Sequence, residues 1–250
     1  NVKALTFFPL LGILLMTFSI SITHTTYQSH KGQLVLLRDF NSNQFSVPLD
    51  KIDHITPNLP NITVTTIPMK SIKARYYFNA KKYDKALELL NEGIPANPYL
   101  FFSENLKSQI FLKQGKIDSA FVNARKAFYG LPKNAMHAAT YAQILQIKRD
   151  SKEALKVFEV LSKKSGPTIW QNFLVVISQM FPSKNPEFIR HASMAVDLFP
   201  NDKDIFSIKR MAVVGQENIN QAAIFSQEGL DYFNQKLYVE AGLRLSLIHI

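Results

Sequence analysis

Pro98, Pro132, Gly166 and Pro200 stand 34 residues apart, three times in succession. A fixed period of this length marks a chain assembled from one repeated helix–turn–helix unit. No other feature limits the fold as much, because such a unit buries its apolar face only against its neighbours. Small and aromatic residues recur within the same period. Ala74, Tyr77, Tyr83, Ala86, Leu90 and Gly93 lead up to Pro98. Ser108, Phe111, Gly115, Ala120, Ala124 and Ala127 lead up to Pro132, and Tyr141, Ala142, Leu145, Ala154 and Phe158 lead up to Gly166. Paired helices approach closely where a side chain is a methyl or a hydrogen, and aromatics fill the complementary gaps. A closing Pro ends the second helix, since the residue before it is steered away from helical angles.

These positions resemble the tetratricopeptide repeat over about residues 67–242. The segment Lys81-Lys82-Tyr83-Asp84-Lys85-Ala86 is close to that family's turn into its second helix. A fourth unit matches at Trp170, Val176, Ala192, Ala195 and Pro200, with an irregular turn between Pro182 and Pro186. Beyond Pro200, a strict count puts Ala222 and Gly229 at small positions, whereas a shifted frame aligns Gly229, Tyr232, Tyr238 and Ala241. The shifted frame is the more specific match and requires an additional helix near Ile205–Val214. The resemblance implies an all-α fold over 67–250, a TPR-type α-solenoid of antiparallel helix pairs with about five repeats, the last incomplete.

From Ala4 to Thr23 the chain carries no charge. At 1.5 Å per residue a helix of that length reaches about 30 Å, the thickness of a bilayer's hydrocarbon core. Pro9 and Gly12 weaken a soluble helix but are tolerated in a membrane span. The favoured reading of residues 1–23 is a transmembrane helix. A cleaved signal peptide, with Lys3 as its basic end and Ser19-Ile20-Ser21 as a small-x-small site, and a buried core helix compete with it. Lys3 on one side faces Lys31 and Arg38 on the other, which leaves the orientation open.

Residues 24–66 form a connector of different texture. Gln33-Leu34-Val35-Leu36-Leu37 and Gln44-Phe45-Ser46-Val47 have the character of strands, and the intervening Asp39–Asn43 has that of a turn, so a β-hairpin is expected. Pro48, Pro57 and Pro60 then mark irregular chain. Asn61-Ile62-Thr63 is a glycosylation sequon by chance occurrence. The closing string Ser246–Ile250 resembles translated sequencing-adapter read-through, which would make it foreign to the natural chain.

Apolar residues make up 46% and charged residues 19%, which excludes disorder by composition. The net charge of +10 favours anionic partners, yet the basic residues are dispersed and read as a solvated surface. With no cysteine there is no disulfide, thiol nucleophile or Cys-based zinc site. His24, His30, His54, His137, His191 and His249 include no pair at i, i+4 and no HExxH motif. Neither a Gly-rich phosphate loop nor a Gly-x-Ser-x-Gly elbow occurs. The sequence therefore points to no catalytic residue, metal or cofactor, and to a protein that is not an enzyme.

In the resembled family the first helix of each unit lines a concave, peptide-binding groove. Carried over, those positions are Arg75, Phe78 and Asn79, then Asn105, Gln109, Leu112 and Lys113, then Gln143 and Gln146. Amides and cations interspersed with apolar groups suit an extended peptide. Ser71 and Arg75 stand where the carboxylate-clamp subset carries its Lys and Asn, so a chaperone-tail specificity is not implied.

The leading expectation is a membrane-anchored TPR scaffold of the bacterial cell envelope, binding a protein or peptide through its groove and the membrane through residues 4–23. An alternative is the carboxy-terminal part of a polytopic O-antigen polymerase- or ligase-like enzyme whose catalytic part lies upstream, as the start at Asn1 allows. RNA binding by a basic helical solenoid ranks last, because no paired base-reading positions occur.

Overall fold

The computed structural model describes residues 2–57 and 59–249, with side chains between 8 and 248. Asn1, Asn58 and Ile250 lie outside the described residues, as do the side chains of Val2–Phe7 and so that of Lys3. Among the described residues the chain is all-helical and contains no strand, only a lone bridge between Ile62 and Pro68. It divides into two compact units, Asn1–Leu131 and Pro132–Ile250.

The first unit begins with α1 (Val2–Ser42), and here the expected hairpin is overturned. Gln33–Leu37 continues the helix that starts in the apolar segment. The reason lies in what its buried face is made of. Ser29, Gly32, Gln33, Leu36 and Asp39 are buried at helical spacing, but only Leu36 among them is apolar. Hydrophobic periodicity could not register a stripe of small and polar groups. After α1 the chain makes a four-residue helix, α2 (Leu49–Ile52), and otherwise irregular structure to Pro68.

Two helical hairpins complete this unit: α3 (Met69–Asn79) with α4 (Tyr83–Gly93), and α5 (Phe102–Lys113) with α6 (Ile117–Gly130). Helix α3 packs on α4 and α5, and α4 also packs on α5. Ala74 and Ala86 are fully buried, and a Cβ on Gly93 would stand 2.2 Å from Ser71 Oγ, so small residues do sit at the α3–α4 crossing. Leu36, Ile52, Ile72, Leu90, Leu106 and Ile110 form the core around them. Each such side chain contributes about 1.5–3 kcal/mol by leaving water. Helix α1 joins this core through Leu36 and packs on α3.

The second unit holds α7 (Ala135–Lys148), α8 (Ser151–Val160), α9 (Pro167–Ser178), α10 (Pro186–Leu198), α11 (Lys203–Val214), α12 (Gln216–Asn234) and α13 (Tyr238–Ser246). Asn134, Asp150, Asn185 and Asp202 cap α7, α8, α10 and α11 through their side-chain oxygens, satisfying amides the helices leave orphaned. Tyr141, Trp170, Phe173, Phe188, Ala192 and Ala195 are buried at its centre. Tyr141 Oη donates to Glu153 Oε1 at 2.7 Å and ties α7 to α8. Helix α11 occupies the Ile205–Val214 region, and Gly229 of α12 faces α13, where a Cβ would meet Leu245 at 2.7 Å.

The 34-residue period has a backbone counterpart. Lys81, Gly115 and Arg149, 34 residues apart, each turn the chain between consecutive helices in the left-handed region, with φ of 58°, 73° and 53°. Reversal within so few residues needs one positive φ, and glycine alone adopts it without steric cost.

Candidate functional site

Of the groove positions in the first unit, Arg75 packs against the end of α1. Arg75 does not face open solvent. Its guanidinium carbon lies 5.3 Å from the Phe40 ring centroid and 5.8 Å from that of Phe45, and its Nη2 donates to Asn43 Oδ1 at 3.3 Å. Burial lowers the Arg75 pKa, and its Nε has no hydrogen-bond partner. Phe40 also meets Phe102 of α5, with ring centroids 5.8 Å apart. The end of α1 and the residues that follow it thus pack over Arg75, while Asn79 on the same helix stays exposed.

A buried carboxylate locks this cover in place. Asp39 is fully buried, and its Oδ2 accepts from Tyr76 Oη at 2.8 Å. The Ser46 hydroxyl donates to Asp39 Oδ1 at 2.9 Å, and the Ser46 amide donates to Oδ2. Burial alone would push the carboxyl up, but the donors Tyr76 and Ser46, with Arg38 beside it, hold it below the usual carboxylate range. Burial and the bond to Asp39 raise the Tyr76 pKa in turn. Phe45 closes the seam edge-on against Tyr76, 5.3 Å between centroids.

A second polar seam fastens the connector to α3. Tyr77 Oη donates to Asp53 Oδ2 at 2.9 Å, and Lys73 Nζ donates to the Asp53 carbonyl at 2.9 Å. Burial, then the bond to Asp53, pushes the Tyr77 phenol up to about 12. Burial lowers the Lys73 pKa. On α1, Gln33 Oε1 accepts from the Val64 amide at 3.0 Å. Asp39, Gln33 and Gly32 were not among the sequence-derived site residues. Their only signal was the helical spacing of polar groups.

The remaining groove candidates are dispersed. Phe78 is half-buried and its ring lies 6.1 Å from that of Tyr83, while Asn79 is exposed. Asn105 is 1% exposed, and its Oδ1 has no hydrogen-bond partner. Gln109 and Leu112 are half-buried, and Lys113 is exposed. Gln143 is exposed and Gln146 half-buried on α7, in the second unit.

Helix α1 itself is long and apolar enough over Phe8–Ser42 to cross a membrane, with a mean hydropathy of 1.5 in its best window and none of that window buried. Phe8, Leu14, Phe18 and Ile20 are all exposed, so this stretch is not part of the core among the described residues. Among the described residues no group of three or more His, Asp or Glu side chains is placed to hold a metal ion. No protein-family model matches the chain, and no curated protein matches it.

Proposed function

We propose that the chain is a membrane-anchored, tetratricopeptide-type scaffold that positions a protein or peptide partner near a bilayer. The observation that carries this reading is the continuity of α1. Its apolar turns point away from the protein, while Leu36 and Asp39 of the same helix are buried against a helical hairpin. An anchor and a helical platform in one unbroken element suit a scaffold better than two independent modules would.

The cover over α3 shifts the partner's seat toward the second unit. On α7, Gln143 is exposed and Gln146 half-buried, beside the exposed side chains of Met136 and Ile147. An amide both donates and accepts, and so matches the backbone of an extended peptide, while the apolar neighbours supply contact area.

The absence of cysteine makes the test direct, since a single Gln143→Cys can carry a photo-crosslinker. A discrete adduct at position 143 and none at Arg75→Cys supports the reading. An α7 face that yields no adduct in membranes of the source cell, with the same chain extractable by alkaline carbonate, sinks it. The same order of elements also suits the carboxy-terminal part of a larger membrane enzyme of the O-antigen polymerase or ligase type. The genomic sequence upstream of Asn1 separates the two readings.

A further inference from the structure

Just beyond the apolar stretch, the connector folds against α1. There the surface opens into a cleft of about 410 Å³ lined by Gln28, Asp53, His54, Ile55, Thr56 and Pro57. The approach is tight on one side, where a Cβ on Gly32 would stand 2.2 Å from the Ile55 carbonyl oxygen and 2.5 Å from Thr56 Cγ2. Taking residues 4–23 as a membrane span, which rests on the proposed function, fixes the depth of this cleft. Gln28 follows Thr23 by about 7.5 Å along the helix axis, at 1.5 Å per residue. The bilayer is about 30 Å thick in its hydrocarbon core and about 40–45 Å with its headgroups, so each headgroup layer is about 5–8 Å deep. The cleft stands at headgroup level.

Its lining selects among headgroups. Asp53 is exposed, and its Oδ2 already accepts from Tyr77. No lysine or arginine among the described residues forms a direct ion pair with its carboxylate, although Lys73 Nζ, which donates to the Asp53 carbonyl at 2.9 Å, stands near it. Gln28 and His54 add an amide and an imidazole, both exposed. Thr56 is 3% exposed, and its Oγ1 has no hydrogen-bond partner. Lys31, at i+3 spacing from Gln28 on α1, is not part of this lining; its Nζ lies 5.6 Å from the Tyr27 ring centroid. One carboxylate beside several donors matches a group that carries an ammonium next to a phosphate.

We propose that this cleft seats the headgroup of an amine-bearing phospholipid. The ammonium meets the Asp53 carboxylate, and the phosphate meets Gln28, His54 and the Thr56 hydroxyl. A choline headgroup has no N–H to give Asp53, and an anionic glycerol headgroup brings like charge to it.

The test uses the full chain purified in detergent and observed by native mass spectrometry with phosphatidylethanolamine, phosphatidylcholine or phosphatidylglycerol. Retention of the ethanolamine lipid is expected to exceed that of the other two about tenfold, the worth of one charge-assisted hydrogen bond. Asp53→Asn should bring it down to the choline level, and Gln28→Leu should lower retention of all three lipids, since the phosphate is common to them. Asp53→Asn also touches Tyr77, so Gln28→Leu, an exposed position on α1, is the variant that should leave thermal unfolding unchanged. Equal retention of the three lipids, or indifference to both substitutions, overturns the proposal. Flotation with phosphatidylcholine liposomes keeps the two failures apart. A chain that floats without lipid preference refutes the cleft alone, whereas one that does not float refutes the span and the cleft together.

Discussion

Tyr76 Oη stands 2.8 Å from Asp39 Oδ2, and through this bond the first hairpin holds the helix that carries the apolar segment. The bond joins residues far apart in sequence across a buried seam that also takes two donors from Ser46. Removing the carboxylate orphans all of them.

Asp39→Ala should therefore destabilise the first unit by about 3 kcal/mol, and Tyr76→Phe by about 1 kcal/mol, since an unpaired buried group costs more than a lost bond. Limited proteolysis should then cut between Ser42 and Met69 in Asp39→Ala before it cuts wild type. Equal protection of the two chains would show that the seam does not hold α1.

Acid should loosen the two units at different pH. His191 Nδ1 faces the Glu187 carbonyl at 2.8 Å and must be the protonated nitrogen, which leaves Nε2 bare toward Arg190 Nη2 at 3.2 Å. Burial lowers the His191 pKa below 6.5, with Arg190 adding to the shift and Glu187 opposing it. A base whose folded pKa is depressed contributes stability above its unfolded pKa and loses it as pH falls below that value. Phe158 lies 4.3 Å from the His191 ring and 5.5 Å from Trp170, the chain's one tryptophan. Trp170 fluorescence should report the second unit weakening below about pH 6.5. Asp39, whose carboxyl is held low, keeps its contribution until pH falls below about 4, so α1 should stay docked through the first step.

Gly32→Ala should undock the connector from α1. The new methyl would press on the Ile55 carbonyl, a backbone atom that has no rotamer to yield. A loss of about 1–3 kcal/mol is expected. Faster amide exchange at Val64, whose N–H is held by Gln33, would register it, and unchanged exchange there would contradict it.

Arg149→Gly should stabilise the second unit by about 0.5–1 kcal/mol, because it relieves a left-handed residue at φ 53° and offsets part of that gain through the freer unfolded chain. Gly115→Ala at the equivalent turn should do the reverse, since its φ is 73°. Thermal unfolding of the two variants compares them directly.

How far the sequence reached differs from element to element. The hairpins from Met69 to Gly130 could be read from Ala74, Ala86, Gly93 and Ala120, because small residues at fixed spacing are a direct consequence of close helix crossings. The shifted frame after Pro200 required a helix near Ile205–Val214, and Lys203–Val214 is helical. The docked half of α1 was not legible. Its apolar run Leu34-Val35-Leu36-Leu37 is as short as a strand, and the residues that seat it are Ser29, Gly32, Gln33 and Asp39. Polar groups buried by mutual hydrogen bonding leave no hydropathy signal, and their partners Val64 and Tyr76 lie a connector away. For the same reason the sequence carried no sign that Phe40 and Phe45 would stand against Arg75.

Helix α1 runs 41 residues without interruption, a rod of about 60 Å. Its exposed apolar turns and its docked turns belong to one unbroken helix, with no joint between them. If the rod leans by about 20° in a bilayer, as spans commonly do, a point about 40 Å along it moves sideways by about 14 Å. Bilayer thickness would in this way steer the first unit like a mast stepped in a moving deck, with Asp39 as the pin.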